Sequence, residues 1–201
     1  MSPTLRIAPL SPELVDGWAA LFVGCASGCF CRYWHFEGTK NEWLARLAFT
    51  PEDNEAEARI AVLDASPKGV GLVAVLGDDV VGWLKLAPRS AVPKLRRLPV
   101  YRAVDLGADD GVLSIACLLV HPSQRRQGVA RALVLHAVTH ARSLGAHTVE
   151  AYPHRRSEAL REEELWMGPL SLLESCGFSC VGGNTAYPVL RYVLETSVSI
   201  E

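Results

Sequence analysis

The stretch His121–Leu133, "HPSQRRQGVARAL", decides the fold. It follows "GVLSIACLLV" (Gly111–Val120), an apolar run of the kind that makes a buried strand, and it opens a helix that runs to about Leu144. Between strand and helix lie two arginines, Arg125 and Arg126, and a glycine, Gly128. A helix N-terminus leaves its first amides without partners and carries a partial positive charge. Glycine gives an anion access to those amides, and guanidinium groups offer donors matched to phosphate oxygens. Val129 and Ala130 continue the turn, and Ala130 is small enough for close approach. A strand that delivers such a turn to one rim of a sheet places it where α/β proteins hold ligands. The turn reads as a diphosphate cradle, with a merely solubilising Arg-rich turn as the bland alternative.

Rival phosphate motifs fail on context. "GVGLVA" (Gly69–Ala74) matches G-x-G-x-x-A, but it enters a strand instead of following one and opening a helix. No GxxxxGK[ST] occurs anywhere in the chain.

Composition narrows the classes. The 201 residues are 49% hydrophobic and 21% charged, enough for one good core and small for two, so a single domain over 1–201 is expected. A net charge of −2 gives no basic field to collect nucleic acid or anionic lipid. The apolar runs are strand-length and fall short of the ~20 residues of a membrane span. The N-terminus has no basic segment followed by an apolar one, so we expect a cytoplasmic protein with six reduced cysteines. Cys25, Cys29 and Cys31 crowd together, but no second cluster at ligand spacing follows, and His136 with His140 lacks a third ligand nearby. No metal is expected.

The order of elements can be followed along the chain. "LRIAP" (Leu5–Pro9) reads as a strand, and a helix follows with Ser11 as N-cap and Pro12 at its first position. "TKNEWLARLAF", capped by Thr39 or Asn41, and "TPEDNEAEARIAVLDA" read as two more helices. Two β-rich runs flank Gly77-Asp78-Asp79 as a hairpin. The Pro- and Arg-rich piece from Ala87 to Asp110 reads as a long loop. After the central helix come a strand in "GAHTVEAYP", a charged surface excursion in "HRRSEALREEEL", a short helix in "GPLSLLESCGF" and a last strand in "AYPVLRYVLE".

In this setting "LLVHPSQRRQGVARALV" resembles the central segment of the GNAT acyltransferases, where strand four leads into R-x-x-G-x-G/A and the next helix. Arg125, Gly128 and Ala130 occupy the motif positions. The hairpin "GLVAVLGDDVVGW", the strand "TVEAYP" and "LLESCGF" agree in order, so the likeness spans most of the chain. "CFCRYW" and "GWLKLAPR" resemble a bacterial subgroup of that superfamily. The resemblance implies a GNAT-like acyl-CoA acyltransferase fold of the α/β class. Its sheet is mixed and mostly antiparallel, splayed between strands 4 and 5 and flanked by helices. It implies acetyl-CoA across the splay, with backbone near Leu118, Leu119 and Val120 pairing with the pantetheine arm. The residues Arg125, Arg126, Gln127, Gly128, Val129 and Ala130 would then hold the pyrophosphate. It also implies N-acetylation of a primary amine by direct attack in a ternary complex, with a homodimer common in the family.

The match thins at the chemistry. The family often places a Glu on strand four, where "LSIACLLV" has none, and a Tyr four residues before Gly-Phe, where Leu173 stands. Glu150 and Tyr152 in the next strand are the substitutes, and an amide near Leu118 is the expected oxyanion donor. Trp34, His35 and Glu37 are the candidate acceptor wall, with packing of the loop on the sheet as the equal alternative. Cys117, in apolar surroundings, reads as packing. The acceptor is expected to be a small molecule. A peptide or protein amine, or a CoA-binding sensor domain without turnover, remains the alternative.

Overall fold

Apolar alternation on both sides of Gly77-Asp78 folds back on itself, as the sequence suggests. In the computed structural model, which describes residues 3–102, 104–155 and 166–194 and only the backbone of Arg96 and Arg102, strands β2 (Leu72–Leu76) and β3 (Asp79–Pro88) form an antiparallel hairpin. β1 (Leu5–Pro9) adds to one side of it, and β4 (Val112–Val120) to the other. β5 (Thr148–Ala151) pairs parallel with β4, while β7 (Pro188–Val193) and β6 (Ser179–Gly183) complete the sheet antiparallel. The seven strands lie in the order β1-β2-β3-β4-β5-β7-β6. This is the mixed, mostly antiparallel sheet expected.

Helix α6 (Val129–Ser143) crosses one face, burying Val129, Leu133, Val134, Ala137, Val138 and Ala141. The crossing is close enough that a Cβ on Gly82 of β3 would stand 2.9 Å from Val129. α7 (Leu170–Ser175) packs on the same face through Leu173. The other face is covered in two halves. α1 (Val15–Gly24), α2 (Lys40–Phe49) and α3 (Pro51–Leu63) stand over the β1–β4 half, with Trp18, Phe22, Phe30 and Trp83 in the core there. Thr39 caps α2 with a reciprocal Thr39–Glu42 box. Ser11 makes no side-chain cap, because the chain first makes a 3-10 turn at Pro12–Leu14 and the α-helix begins only at Val15.

The β5–β7 half lies under the segment read as a loop, and here the structure corrects the sequence. Residues 89–102 form a 3-10 turn and two short helices, α4 (Pro93–Arg97) and α5 (Pro99–Arg102). They are pinned by Arg89, which is fully buried. Its guanidinium meets both oxygens of buried Glu150 at 3.0 Å, Asp109 at 2.6 Å and the carbonyls of Leu106 and Gly107 at 2.8 and 3.0 Å. Arg191 donates to the same Glu150 carboxylate at 2.6 Å, and the Tyr152 hydroxyl donates to its other oxygen. Two cations and a phenol thus satisfy one buried anion.

Removing one partner of such a cluster leaves the others charged and dry, which costs about 3–5 kcal/mol. Glu150→Ala is therefore expected to lower unfolding free energy by that amount in urea titrations. A loss under about 1 kcal/mol, the size of an exposed pair, would contradict the geometry.

Candidate functional site

The parallel ladder between β4 and β5 ends at Ile115 opposite Ala151. Beyond it β5 turns away through Tyr152 and Pro153, and β4 continues to Val120 paired only with β3. Against β3 the β4 register skips Ala116, since Leu86 faces Ile115 and Lys85 faces Cys117. This bulge turns Ala116 and Cys117 to the same face. The Trp34 indole N–H donates to the bulge carbonyl of Ala116 at 2.8 Å. The Leu118 amide donates to the Trp166 carbonyl at 2.8 Å, so a short piece after β5 lies in the splay.

β4 then leads into a 3-10 turn at Pro122–Gln124, where the His121 ring meets the Ser123 hydroxyl at 2.7 Å. Arg126 and Gly128 both adopt left-handed backbone, at φ +61 and +85. Gly128 is the N-cap of α6 and offers no side chain, so no side-chain acceptor meets the amides of the first turn. A Cβ at Gly128 would meet nothing within 4 Å, so glycine serves the backbone angle and the open approach.

A cavity of about 870 Å³ joins these parts. Arg125, Arg126, Gly128, Val129, Ala130 and Arg131 line it at the helix, and Cys117, Leu118, Leu119 and Val120 line it along the free strand. Tyr33, Trp43 and Trp166 form an aromatic wall, with Leu47 beside it. Tyr33 holds the wall together, its ring edge-on to Trp43 at 5.5 Å and to Trp166 at 6.3 Å.

Eight of the nine expected donor-side residues therefore converge on one cavity. Gln127 does not line it, because its amide turns back to the Ser123 carbonyl at 2.9 Å. The expected catalytic pair lies elsewhere. Glu150 and Tyr152 do not line the cavity, and both are buried beneath residues 89–110. Burial and then the Glu150 carboxylate hold the Tyr152 phenol well above its ordinary range, which fits a fixed hydrogen-bond donor. Leu118 lies at the cavity, but its amide is taken by Trp166.

The expected acceptor wall is also corrected. Trp34 is buried with its indole on Ala116, and Glu37 is exposed; neither lines the cavity. His35 does not line it either, and its buried Nε2 has no partner among the described residues. Tyr33, one residue before Trp34, faces the cavity instead. The sequence held the aromatic signal, but a 3-10 turn at Arg32–His35 decides which ring points inward. The excursion "HRRSEALREEEL" falls mostly outside the described residues. Among the described residues no group of three His, Cys, Asp or Glu side chains is placed to hold a metal ion. Nor is any helix there long and apolar enough to cross a membrane.

Comparison with known proteins bears on this arrangement. A family model described as "Acetyltransferase (GNAT) family" matches residues 31–165. The chain belongs to the GNAT acetyltransferase family. Among solved structures, PaiA N-acetyltransferase from Thermoplasma acidophilum in complex with coenzyme A is 11% identical, with a TM-score of 0.55 over 95% of this chain and 99% of that one. A ribosomal-protein-alanine N-acetyltransferase from Brucella melitensis is 15% identical, with a TM-score of 0.54 over 94% and 99%. The yncA structure from Salmonella typhimurium, with its cofactor acetyl-CoA, is 16% identical, with a TM-score of 0.52 over 98% of both. At these identities the likeness shows the GNAT fold alone. The curated proteins contain no match to the chain.

The orphaned histidine of this GNAT chain has a measurable consequence. Burial first, then the charges of Lys85, Arg32 and Lys68, push the His35 pKa down to about 3. In the unfolded chain the ring titrates near ~6.5, so that state binds a proton the native state refuses. Stability is then fully present above about 6.5 and falls as pH drops toward 3. His35→Gln is expected to flatten that limb in urea midpoints measured across the range. An unaltered slope would remove His35 as its source.

Proposed function

We propose that this GNAT protein transfers an acetyl group from acetyl-CoA to a primary amine of a small molecule, by direct attack in a ternary complex. One observation carries the reading: a single cavity joins an open helix N-terminus with two arginines, the strand edge that β5 leaves and an aromatic wall. A diphosphate suits the first, through amides, dipole and guanidinium donors. An extended, amide-bearing pantetheine arm suits the second, adding to β4 as a further strand would. The body of an amine suits the third. The PaiA structure with coenzyme A and the yncA structure with acetyl-CoA support the choice of donor.

In this reading binding does most of the work. Holding thioester and amine together supplies much of the barrier reduction, and water can take the ammonium proton, since among the described residues no carboxylate or histidine lines the cavity. The Leu118 amide serves the developing oxyanion once the thioester carbonyl replaces that of Trp166. Free thiols at all six cysteines fit a cytoplasmic setting, and neither nucleic acid nor a lipid surface is needed as a partner.

A CoA-binding sensor is the second reading, favoured by two observations: Glu150 is sealed away and Leu173 sits in the core where the family often has a tyrosine. Both readings expect CoA to raise the melting temperature, and the double variant Arg125→Ala, Arg126→Ala to lose most of that rise. Unchanged melting of the parent protein with CoA would defeat both. Thiol release from acetyl-CoA with polyamines, aminoglycosides and amino acids separates them. Turnover above the amine-free rate is expected with at least one class, whereas silence across the panel beside an intact melting shift selects the sensor.

A further inference from the structure

Three of the six free thiols, Cys25, Cys29 and Cys117, line the cavity assigned above to the acyl donor. Cys117 is the one built into the sheet, immediately before Leu118 at the inner end of the edge that β5 leaves. Across the ladder its partner is Lys85, whose side chain is 1% exposed. The Lys85 ammonium donates to the Lys68 carbonyl at 2.7 Å, and no carboxylate pairs with it among the described residues. A buried ammonium calls for a counter-charge. The ionisable groups nearest in kind are sulfurs.

Cys31 stands behind Cys117 on the same face. It accepts the Trp83 indole N–H at 3.0 Å, and Cys117 is its neighbour in the same buried cluster. The backbone that brings it there is left-handed at two successive residues, Phe30 at φ +43 and Cys31 at φ +55. Non-glycine residues rarely hold such angles, and they persist where packing over-determines them, often at reactive sites. Burial alone would raise the Cys31 pKa. Its neighbours Cys117, Lys85 and Trp83 outweigh burial, and the thiol falls below its ordinary value. Cys31 first and burial second move Cys117 well up. Burial and then Cys31 push Cys29 up to about 11. The two buried neighbours thus differ in how firmly each holds its proton, and Cys117 is the one that lines the cavity.

We propose that Cys117 is itself an acyl acceptor: with acyl-CoA in the cavity, the chain performs thioester exchange onto its own strand β4. The proposal rests on the donor reading above. The Cys117 sulfur attacks the thioester carbonyl as its proton passes to the Cys31 sulfur. The carbon–sulfur bond to CoA breaks, and the electron pair leaves on the CoA sulfur, which then takes up a proton. The products are acylated Cys117 and free CoA thiol, with no oxidant or further reactant. Lys85 remains the counter-ion to the sulfur pair throughout. Exchange of one thioester for another is near balance, so proximity in the bound complex is what drives the rate.

The test is intact-mass analysis of the protein incubated with acetyl-CoA and no amine. One added acetyl group is expected, released by neutral hydroxylamine and mapped to Cys117 after digestion. Cys117→Ala and, as a second variant, Cys117→Ser should lose it, while Cys25→Ala and Cys29→Ala keep it. Cys31→Ala should slow its formation by about 10²-fold, the low end of a general-base effect. CoA-induced melting shifts show which variants still fold and bind. A normal shift in the parent protein without an adduct overturns the proposal alone, as does an adduct undiminished in both Cys117 variants. Absence of the shift in the parent protein overturns the donor reading and this proposal with it.

Discussion

β4 loses its neighbour after Ile115, and the remainder of the structure answers that loss. Every amide and carbonyl of an abandoned strand edge needs a partner or water. The Ala116 carbonyl receives the Trp34 indole, and the Leu118 amide finds the Trp166 carbonyl. The rest of the edge opens on the cavity. The same aromatic residues that shape the far wall therefore stand next to those that complete the backbone. A change at Trp34 would act on the strand before it acted on any ligand.

Two buried ionic clusters flank the parting, both on the face away from α6. Beyond β4, Glu150 is met by Arg89, Arg191 and Tyr152, and Arg89 also reaches Asp109. On the β3 side, Lys85 stands among Cys31, Cys117 and Cys29. The clusters differ in how the charge is met. Carboxylates complete the first, and it is closed to the cavity. The second holds a lysine and thiols with no carboxylate paired to the lysine among the described residues, and one of its sulfurs lines the cavity wall. Rigidity is the natural use of the first, and the second is where we place the proposed thioester exchange.

Local signals in the sequence survived folding, and long-range ones were invisible to it. The β2–β3 hairpin, the β4–turn–α6 unit and the Thr39 cap each depend on residues within a few positions of one another, and each stands as read. Residues 89–110 read as a loop because helices of four or five residues leave no periodicity to detect. What orders them is Arg89 on Glu150, 61 residues along the chain. β6 went unseen because "SCVGG" has one β-branched residue and two glycines, and it forms only against β7. The turn between β4 and α6 was legible because its signals are local, whereas the aromatic lining of the cavity was not. Which of Tyr33 and Trp34 faces the cavity depends on a carbonyl in β4, and pattern alone does not reach that far.

The missing acid–base pair weighs less than it first suggests. A positioned general base is worth about 10²–10⁴ in rate, or roughly 3–5 kcal/mol. Orientation of two bound reactants can supply about 7–11 kcal/mol, and one oxyanion donor about 3–4. A GNAT chain can therefore give up the strand-four carboxylate if it keeps the cavity and the Leu118 amide. That amide is not idle in the absence of donor, since it already serves the Trp166 carbonyl. In the proposed reaction a thioester carbonyl would take that carbonyl's place at the same N–H, and the displaced carbonyl of Trp166, a residue 42% exposed, would turn to water. That exchange brings little gain before reaction. It turns favourable only as charge develops on the incoming oxygen, and that differential is what lowers a barrier.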